Sequence, residues 1–87
     1  MPSTGPSQHL ATISHEGRFW DVYLELEEAH AGPVRGRLRF TAADQSPSDP
    51  VARTGFILVE ATPEEVHGRA RQLTTYQLSS LLRSCLP

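Results

Sequence analysis

Two stretches, Arg18-Phe-Trp-Asp-Val-Tyr-Leu-Glu-Leu-Glu27 and Val34-Arg-Gly-Arg-Leu-Arg-Phe-Thr41, decide how this chain folds. In the first, Trp20, Val22, Leu24 and Leu26 alternate with Phe19, Asp21, Tyr23, Glu25 and Glu27. In the second, Val34, Gly36, Leu38 and Phe40 alternate with Arg35, Arg37, Arg39 and Thr41. Successive side chains of a strand point to opposite sides, so a period of two predicts two strands, each with an apolar and a polar face. The segment between them, Glu28-Ala-His-Ala-Gly-Pro33, ends in a Gly-Pro turn signal and predicts an antiparallel hairpin.

The polar face of that hairpin sets an acidic strand beside an arginine strand. One register puts Glu27 opposite Arg35, Glu25 opposite Arg37 and Tyr23 opposite Arg39. The other puts Glu25 opposite Arg35, Tyr23 opposite Arg37 and Asp21 opposite Arg39. Either way most of the arginines face carboxylates, and each opposite-charge pair contributes roughly 0.2–1 kcal/mol to a sheet. A guanidinium beside Tyr23 also gains by stacking on the ring. Taken alone, Arg35, Arg37 and Arg39 interleaved with Phe19 and Tyr23 have the composition of a single-stranded nucleic-acid-binding face. The register favours a charge ladder internal to the sheet, a face that can be left to solvent while the helices pack on Trp20, Val22, Leu24, Leu38 and Phe40.

Outward from the hairpin, Leu10 to Ser14 alternates weakly and predicts a short edge strand, joined to Arg18 by the turn His15-Glu16-Gly17. Residues 42–52, rich in Ser, Asp and Pro, read as a long irregular loop. Thr54 to Glu60 reads as a further strand whose centre, Phe56-Ile-Leu-Val59, is apolar on both sides and so is expected to be covered on both. Gly36 and Gly55 fall inside strands, where glycine marks a bulge or a close approach, with Trp20 expected above Gly36. Thr62-Pro63-Glu64-Glu65 combines an N-cap threonine, proline at the first helical position and a glutamate placed to close a capping box. The apolar stripe Val66, Ala70, Leu73 does not continue into Leu78, Leu81, Leu82, Cys85, which predicts two helices, about 63–72 and 75–85, with a threonine cap near Thr74.

The fold class is therefore α+β: an antiparallel sheet of three to four strands (β-β-β-β) followed by two short C-terminal helices packed on one face. Residues 1–9 are expected to be a flexible tail and residues 10–87 a single domain. The chain has 87 residues, 38% of them hydrophobic and 21% charged, enough for one core and too apolar for wholesale disorder. No run approaches the roughly 20 apolar residues of a membrane span. All eight basic residues are arginine against ten acids, leaving a net charge of -2 and no global field toward nucleic acid or anionic lipid. Arginine without lysine suggests a GC-rich bacterial genome. The N-terminus lacks the pattern of an export or transit signal and Cys85 is the one cysteine, so the expected compartment is the cytoplasm.

Nothing in the pattern marks an enzyme. His9, His15, His30 and His67 have no metal-ligand spacing, Cys85 sits at the wrong end of a helix to be activated, and no glycine loop could cradle phosphate, so no cofactor or metal is expected. The last helix is the better lead: Tyr76, Leu78, Leu81, Leu82 and Cys85 offer more apolar surface than a terminal helix on a small sheet readily buries. The expected role is a non-enzymatic protein-interaction or assembly module, homodimeric through its C-terminal helix or a strand edge, whose partner is itself or another protein. The alternative is a single-stranded nucleic-acid-binding module on the arginine face.

Overall fold

A computed structural model describes residues 7–27, 32–44 and 51–86 of the chain. Most of the expected tail (1–6), the segment 28–31 with His30, and the Ser/Pro-rich segment 45–50 lie outside the described residues. The elements run β1 (Ser7–His15), β2 (Arg18–Leu26), β3 (Val34–Ala42), β4 (Ala52–Arg53), β5 (Leu58–Glu60), α1 (Pro63–Arg71) and α2 (Thr75–Cys85). The strands form one antiparallel sheet in the order β1-β2-β3-β4, with β5 also on β3. This is the expected α+β architecture with one strand more.

The central hairpin adopts the first of the two expected registers. Glu25 lies opposite Arg37 and Tyr23 opposite Arg39, and the Glu27 N–H donates to the Arg35 carbonyl at 2.8 Å. The apolar positions of both strands go to one side, where Trp20, Val22, Leu24, Leu38 and Phe40 are buried with Ile13 of β1. Helix α1 packs on β2, β3 and β5, and α2 on β1 and β4, each closing part of that core. Val66 and Ala70 supply the α1 contacts, and Leu78 and Leu82 those of α2.

Strand β1 begins at Ser7, so the boundary expected at residue 9 is corrected: Ser7, Gln8 and His9 pair with Glu25, Leu24 and Tyr23. A β-bulge between His9 and Ala11 hides this in the sequence, because it reverses which alternate positions face the core. Glu16 and Gly17, with φ of 51° and 80°, make the two-residue turn into β2; positive φ at both positions matches the twist of the flanking strands.

The strand expected over residues 54–60 is observed only over its last three residues, as β5. Strand β4 lies just before it, beginning at the last residue of the expected 42–52 loop, and both pair with β3 while the stretch between them bulges away. Thr54 starts the break: its N–H donates to the Leu38 carbonyl at 2.9 Å, and its hydroxyl, rather than a backbone carbonyl, accepts from the Leu38 N–H at 3.0 Å. The segment is accordingly not covered on both sides. Leu58 is buried, while Ile57 and Val59 are about half exposed.

The partner of Gly36 is also corrected. Gly36 lies across from Leu26 rather than Trp20, and the close neighbour is α1: a Cβ at this position would stand 2.7 Å from Val66 Cγ1. Glycine here lets α1 settle onto β3. Gly36→Ala is expected to cost about 1–3 kcal/mol by overpacking. In a double-mutant cycle by urea denaturation, Gly36→Ala with Val66→Ala should be less destabilised than the two single changes added together.

Two separate helices are observed. Thr62 caps α1, its hydroxyl accepting from the Glu65 N–H at 3.1 Å. Thr74 caps α2 in a full capping box, accepting from the Gln77 N–H at 3.1 Å while its own N–H donates to Gln77 Oε1 at 2.8 Å. No helix among the described residues is long and apolar enough to cross a membrane.

Candidate functional site

The polar face of the sheet centres on Glu25, whose position opposite Arg37 follows from the hairpin register. Its carboxylate accepts from Arg37 Nε on Oε1 at 3.0 Å and from Arg39 Nε on Oε2 at 3.0 Å. Arg53, which β4 sets directly across from Arg39, brings its Nε to 3.4 Å from the same Oε1. One carboxylate thus holds three guanidiniums, and Glu25 is only 8% exposed. The sequence predicts paired rows; the structure makes a hub. The polar face is therefore not simply left to solvent.

Aromatic rings hold two of the guanidiniums in place. Arg39 lies over Tyr23 at 4.4 Å and Arg37 over Phe56 at 4.9 Å from the ring centres. Arg39 Nη2 also donates to Ser7 Oγ at 3.3 Å, tying β3 to the start of β1. Arg35 pairs separately with Glu27, Nε to Oε1, at 3.3 Å. Asp21 turns to β1 instead of the arginines, accepting from the Thr12 hydroxyl at 2.8 Å and lying 3.0 Å from His9 Nε2. Phe19 remains exposed at the far end of the face.

The electrostatics follow from these contacts. Burial alone would raise the Glu25 carboxyl, but the bonds from Arg37 and Arg39 and the charge of Arg53 more than reverse it, leaving it below its ordinary value. The Thr12 and His9 hydrogen bonds likewise lower Asp21. Both carboxyls therefore keep their charge to a lower pH than an unperturbed carboxyl would.

Helix α2 distributes its apolar residues differently from the expected docking stripe. Leu78 and Leu82 are buried, and Leu81 and Cys85 are partly buried against the core. Cys85 Sγ donates to the Arg53 carbonyl at 3.3 Å, fixing the end of the helix to β4. Tyr76 alone of the five candidates stays fully outside, 80% exposed. Beside it, Ile57, Leu73 and Leu81 line an open groove of about 440 Å³.

The histidines with no metal-ligand spacing are dispersed, and His30 lies outside the described residues. His9 is exposed on the polar face of β1, whereas the His15 side chain is largely covered, 3.9 Å from Glu16. Among the described residues, no three His, Cys, Asp or Glu side chains come together as a metal site. Sequence reasoning missed Arg53, Phe56 and Ser7 as members of the arginine face. Arg53 borders and Phe56 lies within the irregular stretch after a long loop, where no periodicity assigns a face, and Ser7 lies in the expected tail. Compared with known families, characterised proteins and solved structures, the chain matches none.

Proposed function

We propose that this chain is a small non-enzymatic interaction module whose partner is a second copy of itself, joined through the outer edge of β1. One observation carries the reading: β1 is a nine-residue edge strand with no Lys, Arg, Asp, Glu or Pro. Sheet edges are commonly guarded by such residues against pairing with another chain. Here the bulge near Leu10 guards only the first part, leaving Ala11 to His15 regular. Antiparallel pairing about a two-fold axis at Ile13 sets Ile13 against its own copy and Thr12 against Ser14. No like charges meet there, and the buried Ile13 side chains prolong the core across the axis. Because α2 packs on β1, the same pairing brings the partner's helix alongside.

The burial of Leu78 and Leu82 favours the edge over the helix as the joining element. The nucleic-acid reading is weakened by Glu25 and Glu27, which already engage the arginine row.

Sedimentation equilibrium tests the proposal. The wild-type chain is expected at twice the monomer mass. Thr12→Lys with Ser14→Lys, which sets lysines opposite lysines, is expected to run as a folded monomer by circular dichroism. Tyr76→Ala should stay dimeric. A wild-type monomer at millimolar concentration, or a dimer indifferent to the two lysines, would overturn the reading.

A further inference from the structure

We infer that Arg37, Arg39 and Arg53 form a binding site for a tetrahedral oxyanion of charge -2, the phosphate of a monoester or the free ion. The three guanidiniums share the single carboxylate of Glu25, so the cluster carries two positive charges in excess. Arg39 and Arg53 are direct cross-strand neighbours, an arrangement that is unfavourable for like charges unless an anion lies between them. Glu25 supplies one such anion from the buried side. The other nearby carboxylates among the described residues are engaged elsewhere, Glu27 with Arg35 and Asp21 with His9 and Thr12.

The donors that remain point to the ligand. Each arginine spends its Nε on Glu25. Among the described residues, the one acceptor meeting any of their Nη groups is Ser7 Oγ, on Arg39. Planar guanidinium forks bind phosphate oxygens in pairs, and stacking on Tyr23 and Phe56 fixes two of the planes beforehand. The side chains remain accessible, Arg53 at 48% exposure and Arg37 at 23%. A dianion cancels the excess charge, whereas a carboxylate or a phosphodiester leaves half of it.

Isothermal titration calorimetry with inorganic phosphate, phenyl phosphate and dimethyl phosphate tests this. Inorganic phosphate and phenyl phosphate are expected to bind; the tighter of the two identifies the free ion or the ester as the natural form. Dimethyl phosphate, a monoanion, is expected to bind at least about tenfold more weakly. Arg53→Gln, which leaves Glu25 with two arginines and so keeps the fold, should weaken phenyl phosphate about tenfold. Arg53→Lys should fall between the two, and Arg83→Gln on α2 should match wild type. Absence of binding, equal binding of dimethyl phosphate, or an Arg53→Gln variant indistinguishable from wild type would overturn the site. Arg53 lies across the sheet from the β1 edge, so its loss leaves sedimentation unchanged and the two proposals fail separately.

Discussion

Glu25→Gln is expected to lower the stability of the folded chain by about 3 kcal/mol, the low end for breaking a buried ion pair, because water still reaches the arginines. The substitution keeps shape and volume but removes the one carboxylate that, among the described residues, pairs with Arg37, Arg39 and Arg53. The new amide also turns an NH2 group toward guanidinium donors, which offer nothing to accept it. For a domain of this size the loss corresponds to a melting temperature about 15 °C lower. Added phosphate should raise the melting temperature of the variant more than that of wild type, since the ion occupies the same cluster.

The pH dependence has a definite sign. The Glu25 carboxyl lies below its ordinary value of 4.5 in the folded chain, so the unfolded chain takes up its proton first as the pH falls. Its stabilising contribution is complete above that value and is lost as the pH drops through the folded pKa. Asp21 acts in the same direction. Urea denaturation should therefore show wild-type stability falling in acid, with a shallower fall in Glu25→Gln, where only the Asp21 contribution of the two remains.

Leu82→Ala is expected to cost about 3 kcal/mol, the range for truncating a fully buried leucine. Leu82 has no exposure and sits where α2 closes the core under the sheet. The measurement separates two roles for the helix. If Leu82 served a docking surface, truncation would change the oligomeric state and spare the monomer's stability. A core residue does the reverse: the denaturation midpoint falls while the folded variant keeps the wild-type sedimentation profile. Tyr76→Ala, at the exposed end of the same helix, should leave stability nearly unchanged.

Elements whose environment is dictated by neighbours in the chain were legible. The β2 and β3 alternation, the Glu16-Gly17 turn and the Thr62 and Thr74 caps all depend on residues within a few positions of one another. The limits of β1 were less legible, because one bulge reverses the parity of its polar positions and makes Ser7-Gln-His9 look like a tail. The segment from Thr54 to Ile57 was misread as strand, because a hydroxyl replacing a ladder carbonyl leaves no periodic trace. The site was half visible. Arg37, Arg39, Tyr23 and Glu25 follow from the hairpin, whereas Arg53 joins them only through the pairing of β4 with β3.

The near-balance of arginines and acids was a property of the sequence, and alternation alone was enough to place three of those arginines on one face of one strand. How the charges are shared was decided by the tertiary structure. A strand pattern specifies which side a residue faces, but the partner it meets depends on register and on whichever distant strand arrives at the edge. That arrival gave Glu25 a third arginine where alternation predicts one apiece, and left a charge excess that no count of residues along the chain could reveal.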